Sequence, residues 1–567
     1  MTSLVELRVL EGPNLYFPRA AVKLTLDISP LASASDETVV RFARRIGLKG
    51  ARPGEPDTGF RQRFAARAIA RLVRTIAAES GTSRLAVRVR PTGDPHRLVV
   101  AYPWRHRERA QVMGRAVAEV LDAVPGVGVE EVVARAAAAV ASAEPGEAPS
   151  TITPTIPVVA VTGTNGKTTT SRLIAHIART DGRRVGWSST DGIYVDGALV
   201  EAGDYSGPSG AGRVLAHDDV ELAVTETARG GILLKGIGLT RNDVSVVTNV
   251  SADHLGLQGI DTVDQLAEVK AVVPRITRKD GWAVLNADDP RVFAMRSVVR
   301  AQPWVFSRDP DSPAIREVLS HGGGRATTVI DGWVSVLDSR GEVDPLVELV
   351  DVPMTLAGLS RFNVENALAG ASAALAVGIS RDVVVAGLRT FRTDAEHNPG
   401  RMNIFSLAGE AHGVTVIVDL AHNEAGLEAL LEVMAGVRRP GARLLLGLGA
   451  VGDRQDDLIE RLGEIGAMGS DVVAICHKHR YLRGRTEGEL EALLRAGTER
   501  VGVADVPAYP TEVEGLAALV AQAGPGDVVG LMCHAERDAV YTWIAEHGGT
   551  SDSPEELADK VRATGRA

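Results

Sequence analysis

Cysteine is nearly absent. Cys476 and Cys533 are the only two in 567 residues, too few and too far apart for a disulfide framework, and such scarcity fits a reducing compartment. Each precedes a histidine, as Cys476-His477 and Cys533-His534, but both close apolar strand-like runs where cysteine packs as a small hydrophobe, so burial accounts for them without a metal. Aromatic residues make up only 4% and do not interleave with basic ones as a base-stacking surface requires. With no recognisable nucleic-acid motif either, no nucleic-acid partner is expected. No apolar run approaches the roughly 18 residues of a membrane span, and no charged-then-apolar N-terminal stretch marks a signal peptide. We therefore expect a cytoplasmic protein with no membrane partner.

What is present is unevenly placed. The net charge is −10, yet residues 1–110 carry 20 Lys/Arg against 10 Asp/Glu. That excess reads either as a surface for an anionic partner or as a solvated arginine-rich helical face. At 45% hydrophobic residues the chain can fill several cores, and three or four domains are expected. The stretch 136–157, alanine-rich and then proline-rich, reads as a linker. Before it, Leu7–Leu10, Val22–Leu26, Leu85–Val89 and Leu98–Ala101 read as strands and Ala65–Ile76 and Glu108–Leu121 as helices, a small α+β domain over 1–135. After it, strands at 157–162, 221–225, 244–249 and 282–285 alternate with helical stretches, the pattern of a doubly wound α/β sheet. A second α/β series follows with strands near 414–419, 443–448, 471–476 and 527–532.

The richest stretch is Val158-Val-Ala-Val-Thr162-Gly163-Thr164-Asn165-Gly166-Lys167-Thr168-Thr169, a strand running through a glycine turn into a helix. It reads as a cradle for the phosphates of ATP: backbone N–H groups wrap the oxygens, Lys167 neutralises the terminal phosphates, Thr168 offers a hydroxyl to Mg²⁺, and the helix directs its positive end at the anion. Val161 stands where strict P-loop spacing has glycine. Four clusters follow. Glu226 ends a strand ahead of Ala228-Arg229-Gly230-Gly231 and is a candidate oxygen ligand for a hard cation. Ala252-Asp253-His254-Leu255-Gly256 places His254 beyond another strand, with Lys270 in an apolar helix, most simply a snorkelling side chain. Asn286 lies in an Asx-rich turn, and Asn363 and Asn366 on a helix over 359–373; such amides can read a base edge, though Asn also caps turns everywhere. Asn398-Pro-Gly-Arg401 and Asp419-Leu-Ala-His422-Asn423 supply an arginine and a histidine from the last domain, where closure would bring them to the phosphates.

Taken in order, these motifs resemble the Mur ligase superfamily, most closely the Mur-ligase-like half of the cyanophycin synthetases, over roughly 157–545. Ser188-Thr-Thr-Asp-Gly-Ile-Tyr194, Gly203-Asp-Tyr-Ser-Gly-Pro-Ser209, Gly452-Asp-Arg454 and Leu482-Arg-Gly-Arg485 join those above. Leu10-Glu-Gly-Pro-Asn-Leu-Tyr16 resembles the opening of their N-terminal domain, which holds the polymer. The resemblance implies three folded parts: the N-terminal domain over 1–135, a P-loop central domain over 158–393 and a Rossmann-like C-terminal domain over 394–567. It implies an ATP-dependent, ADP-forming ligase that activates a carboxylate as an acyl phosphate and joins it to an amine on a peptide-like or polymeric acid. In the matching positions Lys167 and the amides of 163–169 hold phosphates, and Thr168 and Glu226 one Mg²⁺. His254 holds a second with Lys270, which is often carbamylated in that family. Asn366 matches the adenine contact, with Asn286 nearby, Asp419 the ribose contact, and Arg401 and His422 the phosphate-facing side of the C-terminal domain.

One departure is large. Where cyanophycin synthetases carry an ATP-grasp domain, only the linker stands here, and Ala101-Tyr-Pro-Trp-Arg-His-Arg-Glu108 is more basic than expected. If the product is a two-component polymer, a separate ATP-grasp protein must supply the backbone step. A homo-oligomer is expected. The alternative is a non-catalytic or regulatory nucleotide-binding subunit of a separate ATP-grasp ligase; retention of Lys167, Glu226, His254 and Lys270 weighs against it. A nucleic-acid-binding ATPase would need salt-sensitive binding, for which no motif speaks.

Overall fold

In a computed structural model, which describes residues 3–50, 52–126, 129–253 and 255–564, the chain divides into two compact units. The first contains residues 1–155 together with 204–216 and 227–242. Its sheet is antiparallel, ordered Leu4–Leu10, Ala21–Asp27, Arg97–Pro103, Arg88–Pro91. Alternation explains the packing: Val22, Leu24 and Leu26 are fully buried, while Lys23, Thr25 and Asp27 point the other way. The inward face meets Phe64, Ile69, Leu72 and Ile76 of helix Gly59–Glu79 and Val117, Val120 and Leu121 of helix Arg107–Asp122. Arg63, Arg67, Arg71 and Arg74 form an exposed arginine row along the first of these helices.

The alanine run expected to open the linker is instead the end of helix Val129–Ser142, with Ala136, Ala137 and Val140 buried. Alanine's helix propensity outlasts the pattern up to the prolines. The Leu10–Tyr16 motif proves to be a docking strap. Glu11 donates its N–H to Lys235 O (2.7 Å) and Ile237 donates to Pro13 O (2.7 Å), while the Asn14 amide ties Gly12, Tyr16, Phe17 and Arg19 together. A Cβ on Gly12 would lie 1.9 Å from Ile237 O, so only glycine lets the strands of backbone approach.

The second unit spans the remaining residues, and its described residues form two sheets. The larger has eleven strands; neighbours run Gln302–Phe306, Thr277–Asn286, Asn242–Val247, Val158–Thr162, Leu222–Glu226, Val185–Ser188, with antiparallel strands at both edges. The pairings of Val158–Thr162 on both sides are parallel. The smaller has seven, with Val472–Cys476, Leu444–Leu448, Val528–Met532 and Thr415–Asp419 parallel at its centre. Central strands buried on both faces read as continuous apolar runs, which is why they are legible, whereas the antiparallel strands Arg325–Ile330 and Trp333–Asp338 towards one edge and Gly192–Val195 and Ala198–Ala202 at the other, where apolar and polar residues mix, are not.

Candidate active site

Register builds the first half of the site. Strand Val158–Thr162 pairs Val161 with Glu226 on one side and Thr162 with Val247 on the other, so three strands end together around the glycine turn, at the carboxyl edge where α/β sheets bind ligands. The turn Gly163–Gly166 feeds helix Lys167–Thr180. Gly166 has φ 84°, and a Cβ there would lie 2.2 Å from Asn366 Oδ1; one on Gly163 would strike Thr248 Oγ1 at 1.8 Å. Both glycines are required by close approach as well as conformation.

Thr248 and Asn249 strap the turn from below. Thr248 Oγ1 donates to Asn165 O (2.6 Å), Asn249 Oδ1 accepts the Asn165 N–H (2.9 Å), and Asn249 O accepts the Thr164 N–H (2.8 Å). Lys167 Nζ curls back to Thr164 O at 2.9 Å. Thr168 Oγ1 donates to Glu226 Oε2 at 2.9 Å, and Glu226 is only 1% exposed; a hydroxyl and a buried carboxylate form an oxygen donor set that suits a hard divalent cation. Lys270 is not a snorkelling side chain: it is 3% exposed and Nζ donates to Gly163 O at 2.6 Å. Helix Val263–Lys270 turns its last residue inward beneath the loop. His254 lies outside the described residues.

The two amide candidates are structurally engaged. Asn366 Oδ1 accepts from Thr170 Oγ1 (3.2 Å) and its Nδ2 donates to Asn363 Oδ1 (3.2 Å), beneath Gly166. Asn286 Nδ2 donates to Thr248 O (2.8 Å) and Glu365 Oε2 (3.2 Å). Burial pushes the Glu365 carboxyl up to about 7 despite Arg308 beside it. Glu365 carried no signal in the sequence.

The second half comes from the seven-stranded sheet. Arg401 Nη2 donates to Thr168 Oγ1 at 3.3 Å, so one hydroxyl meets both Glu226 and this arginine. Asn423 and Asn165 exchange amide bonds (3.1 and 3.4 Å), and Asn423 also caps helix Glu424–Val437. Asn398 donates to Thr169 Oγ1 (3.2 Å) and accepts from Arg172 (3.1 Å). Asp191 accepts from Arg172 at 2.6 Å and from Arg537 at 3.1 Å. Burial alone would raise the Asp191 carboxyl, but Arg172, Arg537 and Arg401 hold it below its ordinary value. Buried Arg454 pairs with Asp253 at 2.8 Å.

Asp419 accepts the Met402 N–H at 2.8 Å, and burial raises its carboxyl to about 6 against the pull of Arg401. Burial lowers His422 to about 4, so its ring is neutral near pH 7. Its Nδ1 lies 2.9 Å from Leu420 O, which assigns the proton to that nitrogen and leaves Nε2 as the acceptor. The phosphate-loop residues, Glu226, Lys270, Arg401 and Asn366 thus converge, with Asp419 and His422 within electrostatic reach of Arg401. The pairs Asp191–Arg537 and Asp253–Arg454 escaped the sequence reading because neither partner stands near the other in the chain.

Residues 161–374 match the Mur ligase middle domain and 400–534 the Mur ligase glutamate ligase domain. Cyanophycin synthetase of Crocosphaera subtropica is 44% identical over 62% of this chain and 39% of its own length. The Synechocystis enzyme of the same name is 46% identical over 60% and 38%. UDP-N-acetylmuramoyl-L-alanyl-D-glutamate–2,6-diaminopimelate ligase of Geobacillus kaustophilus is 26% identical over 66% and 72%. The chain spans about two fifths of the length of the first two relatives.

Proposed function

This chain is a member of the Mur ligase family, and on that premise we propose that it is an ATP-dependent, ADP-forming ligase joining a carboxylate of a peptide-like or polymeric acid to an amine. The observation that carries the reading is the Thr168 hydroxyl held between the buried Glu226 carboxylate and Arg401 at the mouth of a glycine cradle. A bare nucleotide-binding module needs the cradle alone; an arginine from the second sheet on the same hydroxyl is what γ-phosphoryl transfer calls for.

Thr168 and Glu226 are the residues to hold one divalent cation, in our reading Mg²⁺, and His254 would hold a second together with Lys270, whose amine serves as an oxygen ligand only as a carbamate. When bound, the cations neutralise charge on the phosphates. Lys167 swings from Thr164 O to the terminal phosphates, and Arg401 steadies the transferred group. The acid's carboxylate oxygen takes the γ-phosphoryl and ADP departs. The amine then adds to the acyl carbon, and phosphate leaves as the C–O bond breaks. Excess cations around Asp191, with Arg172, Arg537 and Arg401 converging, favour an anionic acid. Asn366, Asn286 and Asp419 remain our assignments for adenine and ribose. If the product is a two-component polymer, a separate ATP-grasp protein supplies the other bond.

Release of ADP tests this, with oligo-aspartate or oligo-glutamate crossed against arginine, lysine and diaminopimelate. Sustained turnover is expected only when an acid and an amine are both present. Equal turnover without either would reduce the protein to an ATPase.

A further inference from the structure

A buried ionic clasp joins the loop after strand Val472–Cys476 to the start of helix Glu512–Ala521. Lys478 and Glu512 side chains are both 0% exposed and 2.7 Å apart. Glu512 also accepts the backbone N–H groups of His534 (2.7 Å), Ala535 (2.9 Å) and Glu536 (2.8 Å). In return the Glu536 carboxylate accepts the Glu512 N–H at 2.8 Å. Lys478 donates onward to Met532 O, and a Cβ on Gly449 would lie 2.4 Å from Lys478 Cε, so the pair has no room to shift. Taking an ion pair out of water is costly unless its remaining bonds are filled, as these are. The result is a turn, residues 533–536, fixed from both ends.

That turn presents His534. Both ring nitrogens are shielded from solvent, and with the Met532 backbone able to serve only one of them the other is a buried acceptor with no partner among the described residues, a costly state for a protein to keep without a ligand. The ring centroid lies 6.0 Å from that of His422 and 6.0 Å from that of Tyr481. His422 has its Nδ1 committed to Leu420 O; the His534 ring leans on the Met532 backbone through one nitrogen and leaves the other open.

We infer that His534 is the proton acceptor for the incoming amine, and that Glu512 and Lys478 are positioning residues that hold it there. The inference rests on the ligase reading above. An amine arrives as an ammonium ion without a lone pair. An ammonium N–H gives its proton to a His534 ring nitrogen, the freed pair attacks the acyl carbon, the bond to phosphate oxygen breaks with its electrons going to phosphate, the departing phosphate takes the second proton from the amide-forming nitrogen, and the imidazole later returns its own proton to water. Burial keeps the ring neutral and ready. Lys478, His422 and Arg401 press in the same direction, the Met532 backbone opposes them, and the Tyr481 ring lies edge-on beside the imidazole.

Hydroxylamine, already unprotonated at neutral pH, needs no base, so it separates this role from a structural one. With oligo-aspartate and ATP, wild type should give acid-dependent ADP with arginine and a hydroxamate with hydroxylamine. His534→Gln should lose about 100-fold with arginine at pH 7, recover towards pH 9, and keep hydroxamate formation within about 3-fold. Glu512→Gln should show a smaller loss of the same amine-specific kind. Equal losses with both nucleophiles, or none with either, would overturn the role of His534. A wild type with no acid-dependent ADP would instead overturn the ligase reading.

Discussion

The two halves of the site are built in opposite ways. The nucleotide half is organised by backbone: glycines at 163 and 166 let Thr248 and Asn366 press against the turn, and its charges, Lys167, Glu226 and Lys270, bond to the turn or to Thr168. The half from the seven-stranded sheet is side chain: Asp419 and His422 are tied to backbone groups, Arg454 to Asp253, and Lys478 and Glu512 to each other. A phosphate is the same in every ATP and can be met by fixed N–H groups. An acid and an amine must be discriminated, and that takes placed side chains whose own geometry is enforced.

The contrast predicts where damage falls. Lys167→Ala should cut acid-dependent ADP release about 1000-fold with little change in melting temperature, because it removes charge from the transferred group and its own bond to Thr164 O is expendable. A comparable fall in both would place Lys167 in the scaffold and break the contrast. Lys478→Met should do the reverse, destabilising by about 3 kcal/mol in denaturant titration because Glu512 is left as a buried charge. Lys478→Met combined with Glu512→Leu should recover part of that loss.

Asp419 sharpens the same point through pH. Its folded carboxyl is raised from 3.8 to about 6, so the stability due to the protonated form is complete below about pH 4 and is lost as pH rises through 6. Asp419→Asn should therefore exceed wild type by about 2 kcal/mol at pH 8, with the gap closing towards pH 4. A gap that widened on acidification would reverse the assignment. Smallest of all, Asn423→Ala should cost about 1 kcal/mol through the lost helix cap, and its removal of the amide pair with Asn165 should weaken ATP binding without changing the identity of the preferred amine.

This difference also governs what could be read from the chain. The nucleotide half is a local motif, a strand, turn and helix in one stretch of residues, and the strands around it are continuous apolar runs; both were visible. Glu226 was a lone strand-end carboxylate until parallel register set it opposite Val161. Lys270 looked like a surface lysine because an apolar helix gives no sign of which face turns inward. Lys478, Glu512 and Glu536 belong to three separate loops, and their pairing depends on the order of strands in the sheet. Alanine-rich 136–142 misled because low complexity there is a buried helix end.

The central claim is that the γ-phosphate goes to a carboxylate. It is tested most directly by labelling the acid's carboxyl oxygens with oxygen-18 and weighing the inorganic phosphate released. The account predicts one labelled oxygen transferred to phosphate for every amide bond formed. Phosphate carrying none, while amide still forms, would contradict it.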